Sequence, residues 1–273
     1  MIGDHFKTIF GTHVVDLVRL DAKVREGNDP EALHEARVAV RRLRSYLRTF
    51  LPVLDEVWAC TLRERLAWLN QLFAEARDLD VLVDMLDRRA AAAQPESVAL
   101  PNGVLERLHA ERDQRHAAVR AALREPHYLS LLEEIVAAAR YPQLNQRALE
   151  PVRDGMHALL ADVWKRARKP VRKYGRSPDD AQLHEIRIKT KHVRYAAECF
   201  EPLAGKRAKV LARHAERLQT VLGQQHDGVM AVVRLREFPD VPAEAIDAPK
   251  RIRWRRIWRK MCAAYRRLKK NGR

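Results

Sequence analysis

An all-α fold follows from three features of this 273-residue sequence. Ala, Leu, Arg and Glu dominate, and all four favour helix over strand. Apolar residues recur at i, i+3, i+4 and i+7, the spacing that gives a helix one buried stripe. No segment alternates apolar and polar residues as a half-buried strand does. The length allows one large domain or two medium ones, with ample material for a core.

Turn signals divide the chain into helical segments in order. Gly27-Asn28-Asp29-Pro30 closes the first, and Pro52 closes the second. Pro95 with Pro101-Asn102-Gly103 ends a long third segment. Pro126 and Tyr141-Pro142 bound the next two. Gly175 to Pro178, Pro202 to Gly205 and Pro239 to Pro249 punctuate the rest. Asp29-Pro30-Glu31 and Ser177-Pro178-Asp179 each predict a capping residue, an N1 proline and acids in the first turn. Short connections between helices of 15–25 residues predict antiparallel packing (about this length is common in bundles).

Two of these segments are copies of one basic helix. LHEARVAVRRLRSYLRTF at 33–50 and LHEIRIKTKHVRYAAECF at 183–200 share Leu33/Leu183, His34/His184, Glu35/Glu185, Arg37/Arg187, Arg44/Arg194 and Phe50/Phe200. At about 100° per residue, His34, Arg37, Arg41, Arg44 and Arg48 fall within an arc of roughly 80°. His184, Arg187, Lys191 and Arg194 occupy the same arc in the second copy. Leu33, Val40, Leu43, Leu47 and Phe50 line the opposite side. Like charges one turn apart repel, so a repeated cationic ridge predicts an anion to neutralise it.

The repeat continues beyond the ridge. Leu69, Leu72, Phe73, Ala74 and Asp78 align with Leu218, Val221, Leu222, Gly223 and Asp227. A period near 150 residues is too long for a solenoid. It predicts duplicated helical bundles related by a pseudo-two-fold axis, divided as residues 1–141 and 142–273.

The net charge is +16, and it is uneven. Residues 151–273 hold 31 basic and 13 acidic side chains, against 21 and 23 in residues 1–150. That asymmetry predicts a polyanionic partner: nucleic acid, an anionic membrane surface or a polyphosphate-like polymer. Cys60, Cys199 and Cys262 fit neither a metal site nor a disulfide framework, which predicts a reducing cytoplasm. The N-terminus lacks the layout of a signal peptide, and no apolar run is long enough for a membrane span.

Cations stacked at about 5.4 Å intervals suit an extended anion of comparable charge spacing. Arg grips phosphate oxygens with two donors at once, and Lys supplies a point charge. A protonated histidine at the head of the ridge donates from both ring nitrogens. The pattern H-x-x-R-x-x-x-[RK]-x-x-R, present twice, resembles the CHAD family, the conserved histidine α-helical domain. The resemblance covers essentially the whole chain. It implies two four-helix bundles related by pseudo-symmetry, with a basic groove or pore that holds inorganic polyphosphate, in proteins often found on polyphosphate granules. The binding role then carries onto His34, Arg37, Arg41, Arg44, His184, Arg187, Lys191 and Arg194. Arg42, Arg48 and Tyr195 adjoin these ridges. Arg168, Arg172, Lys173, Arg213 and Arg217 extend the expected site over the more basic half. Two departures make the half-sites unequal: Glu198 stands opposite Arg48 in the repeat, and His192 opposite Arg42. No ExExK signature of the triphosphate-tunnel domain often fused to this family occurs in the sequence.

Other readings compete. A solvated face would pair its Arg residues with neighbouring acids, but few acids lie on the ridge. Single-stranded RNA would want aromatic platforms, and aromatic content is 6%. His226-Asp227 is similar to the HD dipeptide of helical metal-dependent phosphohydrolases, yet its repeat mate is Arg77-Asp78, so only the aspartate is shared. An aspartate common to both halves is expected to orient a ridge Arg. No metal, cofactor or catalytic residue is expected. The C-terminal segment puts Trp254, Ile257, Trp258, Met261, Ala264, Tyr265 and Leu268 on one face, as a packed helix or as a basic amphipathic one for a membrane or RNA.

Overall fold

The computed structural model describes residues 1–27, 29–91, 101, 103–239, 241 and 254–269. The turn signals at Asn28, Pro95, Asn102 and 242–249, and the ends of the basic C-terminal segment, lie outside them. The described residues are all-α. In order they form α1 (Ile2–Glu26), α2 (Pro30–Thr49), α3 (Glu56–Ala91), α4 (Val104–Ala122), α5 (Pro126–Arg140), α6 (Val152–Lys173), α7 (Asp180–Cys199), the single turn α8 (Glu201–Ala204), α9 (Lys206–Leu235) and α10 (Trp254–Lys269).

Local chemistry sets the helix ends. The αL conformation of Gly27 (φ 73°) closes α1 and lets its N–H reach the Lys23 carbonyl. Asp29 caps α2 by accepting from the Glu31 N–H at 3.0 Å, with Pro30 at N1 as the sequence predicts. The second ridge helix departs from its prediction. It starts after Asp179 rather than after Ser177, because Asp179 accepts from the Gln182 N–H while the Gln182 side chain accepts from the Asp179 N–H. That reciprocal box satisfies two donors that an N1 proline at 178 would leave without it.

One apolar core gathers Phe6, Phe10, Leu43, Leu47, Phe50, Leu62, Leu66, Phe73, Tyr128 and Leu131 from α1, α2, α3 and α5. It also takes Met156 and Leu159 from α6 and Tyr195, Cys199 and Phe200 from the α7 end. A second core joins α6, α7, α9 and α10 through Trp164, Ile186, Val193, Leu211, Leu218, Trp258 and Met261. The α10 face is thereby covered: Trp254, Trp258, Met261, Ala264 and Leu268 are buried, and Trp164 stacks between Trp258 (5.5 Å) and Tyr265 (4.2 Å). A smaller third cluster pins the far ends of α3, α4 and α9 together through Leu82, Leu108 and Leu235.

The two ridge helices pack on each other. Their apolar faces are buried as the periodicity predicts, and the burial pattern of 41–50 repeats residue for residue in 191–200. The repeat mates Phe50 and Phe200 meet at 5.7 Å in the first core, both fully buried. Each repeat departure now has a partner across this contact. Arg42 pairs with Glu198 at 3.0 Å and lies over the Tyr195 ring, while His192 bonds Ser45 (3.2 Å) and Arg48 (3.3 Å). Identical copies would set arginine against arginine at both places. The asymmetry of the sequence therefore lets two cationic helices touch.

Candidate functional site

The cationic ridges face one cavity of about 1220 Å³. From α2 come His34, Arg37, Arg41, Arg44 and Arg48, and from α7 come His184, Arg187, Lys191, His192 and Tyr195. The predicted arc holds because each helix buries its apolar stripe and leaves the cations half-buried toward the cavity.

Few anions answer these charges. Arg37 pairs with Asp78 at 3.1 Å, so one repeated aspartate does hold a ridge arginine. Its mate Asp227 draws Arg187 electrostatically. Arg41, Arg44, Arg187 and Lys191 form no ion pair among the described residues. Burial, together with mutual repulsion, pulls Arg37, Arg44, Arg48 and Arg187 below the usual arginine range. For Lys191 burial and then Arg187, Arg41 and Arg37 lower the pKa to about 7. Removing a charged ammonium from water beside three guanidinium groups disfavours it strongly.

The two ridge histidines behave alike. Burial, then Arg77, lowers the pKa of His34 from 6.5, and burial, then Arg187 and Lys191, lowers that of His184. In each ring Nδ1 is buried without a hydrogen-bond partner among the described residues. His184 also packs against His226 at 4.2 Å, and burial with that neighbour pushes His226 down to about 4. The imidazoles are thus neutral at pH 7 and sit where an anion would favour their charged forms.

Several predicted residues lie elsewhere. Arg42 sits in the α2–α7 contact, off the cavity wall. Arg194 is held by Glu198 (2.6 Å) and Glu216 (2.9 Å), away from the wall that its mate Arg44 lines. Tyr195 does reach the cavity wall but is 3% exposed, so its ring offers no stacking face. Arg168, Arg172, Lys173, Arg213 and Arg217 do not line the cavity. Conversely, Arg63 and Arg77 of α3, Arg115 of α4, Arg166 of α6 and Arg234 of α9 do. No repeated motif marks these five cations. Only Arg77, beside the repeated Asp78, carried a signal in the sequence.

Among the described residues, no group of three or more His, Cys, Asp or Glu is placed to hold a metal ion. No described helix is long and apolar enough to cross a membrane.

Known proteins place this architecture. The CHAD domain model matches residues 8–236. Two curated Mycobacterium tuberculosis proteins, "Uncharacterized protein MT2285" and "Uncharacterized protein Rv2226", are each 28% identical over 211 residues, or 74% of this chain. That stretch is 39% of each relative, so the chain spans about two fifths of the length of the curated proteins it matches. The CHAD domain from the plant Ricinus communis is 26% identical, with a TM-score of 0.70, covering 99% of this chain and 88% of that one. PptA from Streptomyces chartreusis shares 20% identity and a TM-score of 0.65 over 99% and 98% of the two chains, a likeness of fold alone. With its family match, its repeated histidine-headed helices and its all-α fold, this chain belongs to the CHAD domain family.

Proposed function

We propose that this protein binds inorganic polyphosphate, without catalysis, in the cavity that α2 and α7 both face. The observation that carries the reading is the convergence of both ridges on a single cavity whose cations outnumber their acidic partners. A bare phosphate polymer asks only for charge and hydrogen-bond donors, and arginine forks supply both. The pseudo-two-fold repeat would then present two unequal half-sites to one polymer, with His34, Arg37, Arg41, Arg44 and Arg48 in one and His184, Arg187 and Lys191 in the other. Division of the chain into bundles at 141/142 belongs to the same proposal. So does a cytoplasmic location on polyphosphate granules.

Single-stranded RNA is the rival ligand. The buried Tyr195 leaves the ridges without a platform for a base, which favours the bare polymer. A hydrolase would need groups to hold a metal, and among the described residues Asp78 and Asp227 belong to no group of three or more His, Cys, Asp or Glu placed to do so. Competition of long-chain polyphosphate against single-stranded RNA at matched charge concentration tests the reading. We expect polyphosphate to displace the RNA. Preferential retention of RNA would overturn the assignment.

A further inference from the structure

The cavity has a side cleft at the α6–α7 seam. Arg48, Arg166 and His192 line both spaces, and Lys189 with Thr49, Val163 and Ala167 completes the cleft. The enclosed part is only about 10 Å³, too small for a phosphate group, so anything leaving this way must cross above the seam. The residues bordering that crossing are cations. On α6, Arg166, Lys169 and Lys173 are spaced i, i+3 and i+7, within about 60° of one another on the helix. On α7, Lys189 faces them. Burial and the nearness of Arg48, Arg166 and Lys169 depress its pKa, with Glu185 opposing.

The acids here are already engaged. Asp162 pairs with Arg166, and Glu185 accepts from the Tyr174 hydroxyl, whose ring lies 5.1 Å from the Lys173 ammonium. Lys169 and Lys173 are exposed and Lys189 is half-buried, and none of the three has an ion pair among the described residues. From Arg166 to Lys173 the line runs for about 10 Å along α6. It is continuous with the ridge at Arg48 and leads from the cavity to open solvent.

We propose that a polyphosphate chain longer than the cavity leaves it over the α6–α7 seam, guided by Arg166, Lys169, Lys173 and Lys189. This rests on the cavity being the polyphosphate site. The track makes the protein selective for chain length: short polymers use the ridges alone, and long ones gain further contacts outside. Lys169, Lys173 and Lys189 are then the residues that set this selectivity.

The experiment compares wild type with K169Q/K173Q/K189Q for tripolyphosphate and for long-chain polyphosphate. A control, R256Q/R259Q/K260Q, removes three exposed charges from α10 that line neither the cavity nor the cleft. We expect the seam variant to bind tripolyphosphate within about twofold of wild type, and long chains about tenfold more weakly with a shallower salt dependence. The control should keep long-chain affinity within about twofold. Equal losses in seam and control variants would reduce the effect to net charge and overturn the track. So would equal losses for both polymers, or a long-chain affinity that does not change. K169Q/K173Q, confined to exposed positions, gives the same comparison if Lys189 proves necessary for folding. Absence of polyphosphate binding by wild type would instead overturn the cavity reading itself.

Discussion

At the scale of single residues, the site is a set of charges held against their preference. Lys191 shows this most clearly, with a pKa lowered from 10.5 to about 7. The unfolded chain binds this proton up to the ordinary lysine value, whereas the folded chain releases it near 7. Between about pH 7 and 10.5 the unfolded state therefore holds more protons, and this residue makes stability rise with pH. Lys191→Met should remove that slope and raise the melting temperature of the free protein at pH 7. Equal slopes in wild type and variant would show that Lys191 is not strained. Bound phosphate reverses the balance by favouring the ammonium, and it does the same for His34 and His184. Binding should tighten as pH falls from 8 to 6, with Lys191 acting in the upper part of that range and the histidines in the lower part. The sequence alone predicts a histidine window around 6.5. Burial among arginines moves its free-protein end lower. His34→Gln with His184→Gln should flatten the low-pH portion of the affinity profile without abolishing binding.

At the scale of elements, the ridge helices were legible because two copies of one pattern fixed both their period and their buried stripe. Their contact was not. Arg42 and Tyr195 read as part of the ridge, since periodicity says which residues share a face and not which neighbour covers it. The repeat departures at His192 and Glu198 were visible, but their meaning depended on α2 and α7 packing together. The same limit hid Arg63, Arg115, Arg166 and Arg234, single cations on helices whose orientation only the core decides. It also placed Arg168, Arg172, Arg213 and Arg217 at a site they do not line. Glu198→Arg tests the packing argument, because it restores repeat symmetry and leaves Arg42 and Arg194 without their shared carboxylate. We expect a loss of about 2 kcal/mol or more in unfolding free energy. Adding Arg42→Glu should recover part of it by reversing the pair. A single variant as stable as wild type would show that the asymmetry has no role in joining the helices.

At the scale of the whole molecule, two apolar cores are joined by helices whose cavity-facing cations repel one another, a repulsion that a bound anion would relieve. The charge imbalance, the repeat and the histidine-headed pattern were all readable from the sequence. The closing of both ridges onto one cavity needed the fold, because α2 and α7 are distant in sequence and are brought together by the first core and by the contacts of Arg42 with Glu198 and of His192 with Ser45 and Arg48. The central claim is that this cavity is where polyphosphate binds. Titration of long-chain polyphosphate into wild type and Arg37→Ala/Arg187→Ala, with folding checked by thermal denaturation, tests it most directly. Each lost charge-assisted contact should weaken binding by about 1.5–3 kcal/mol. The account predicts a folded double variant whose affinity is lower by about a hundredfold or more. A folded double variant with unchanged affinity would contradict it.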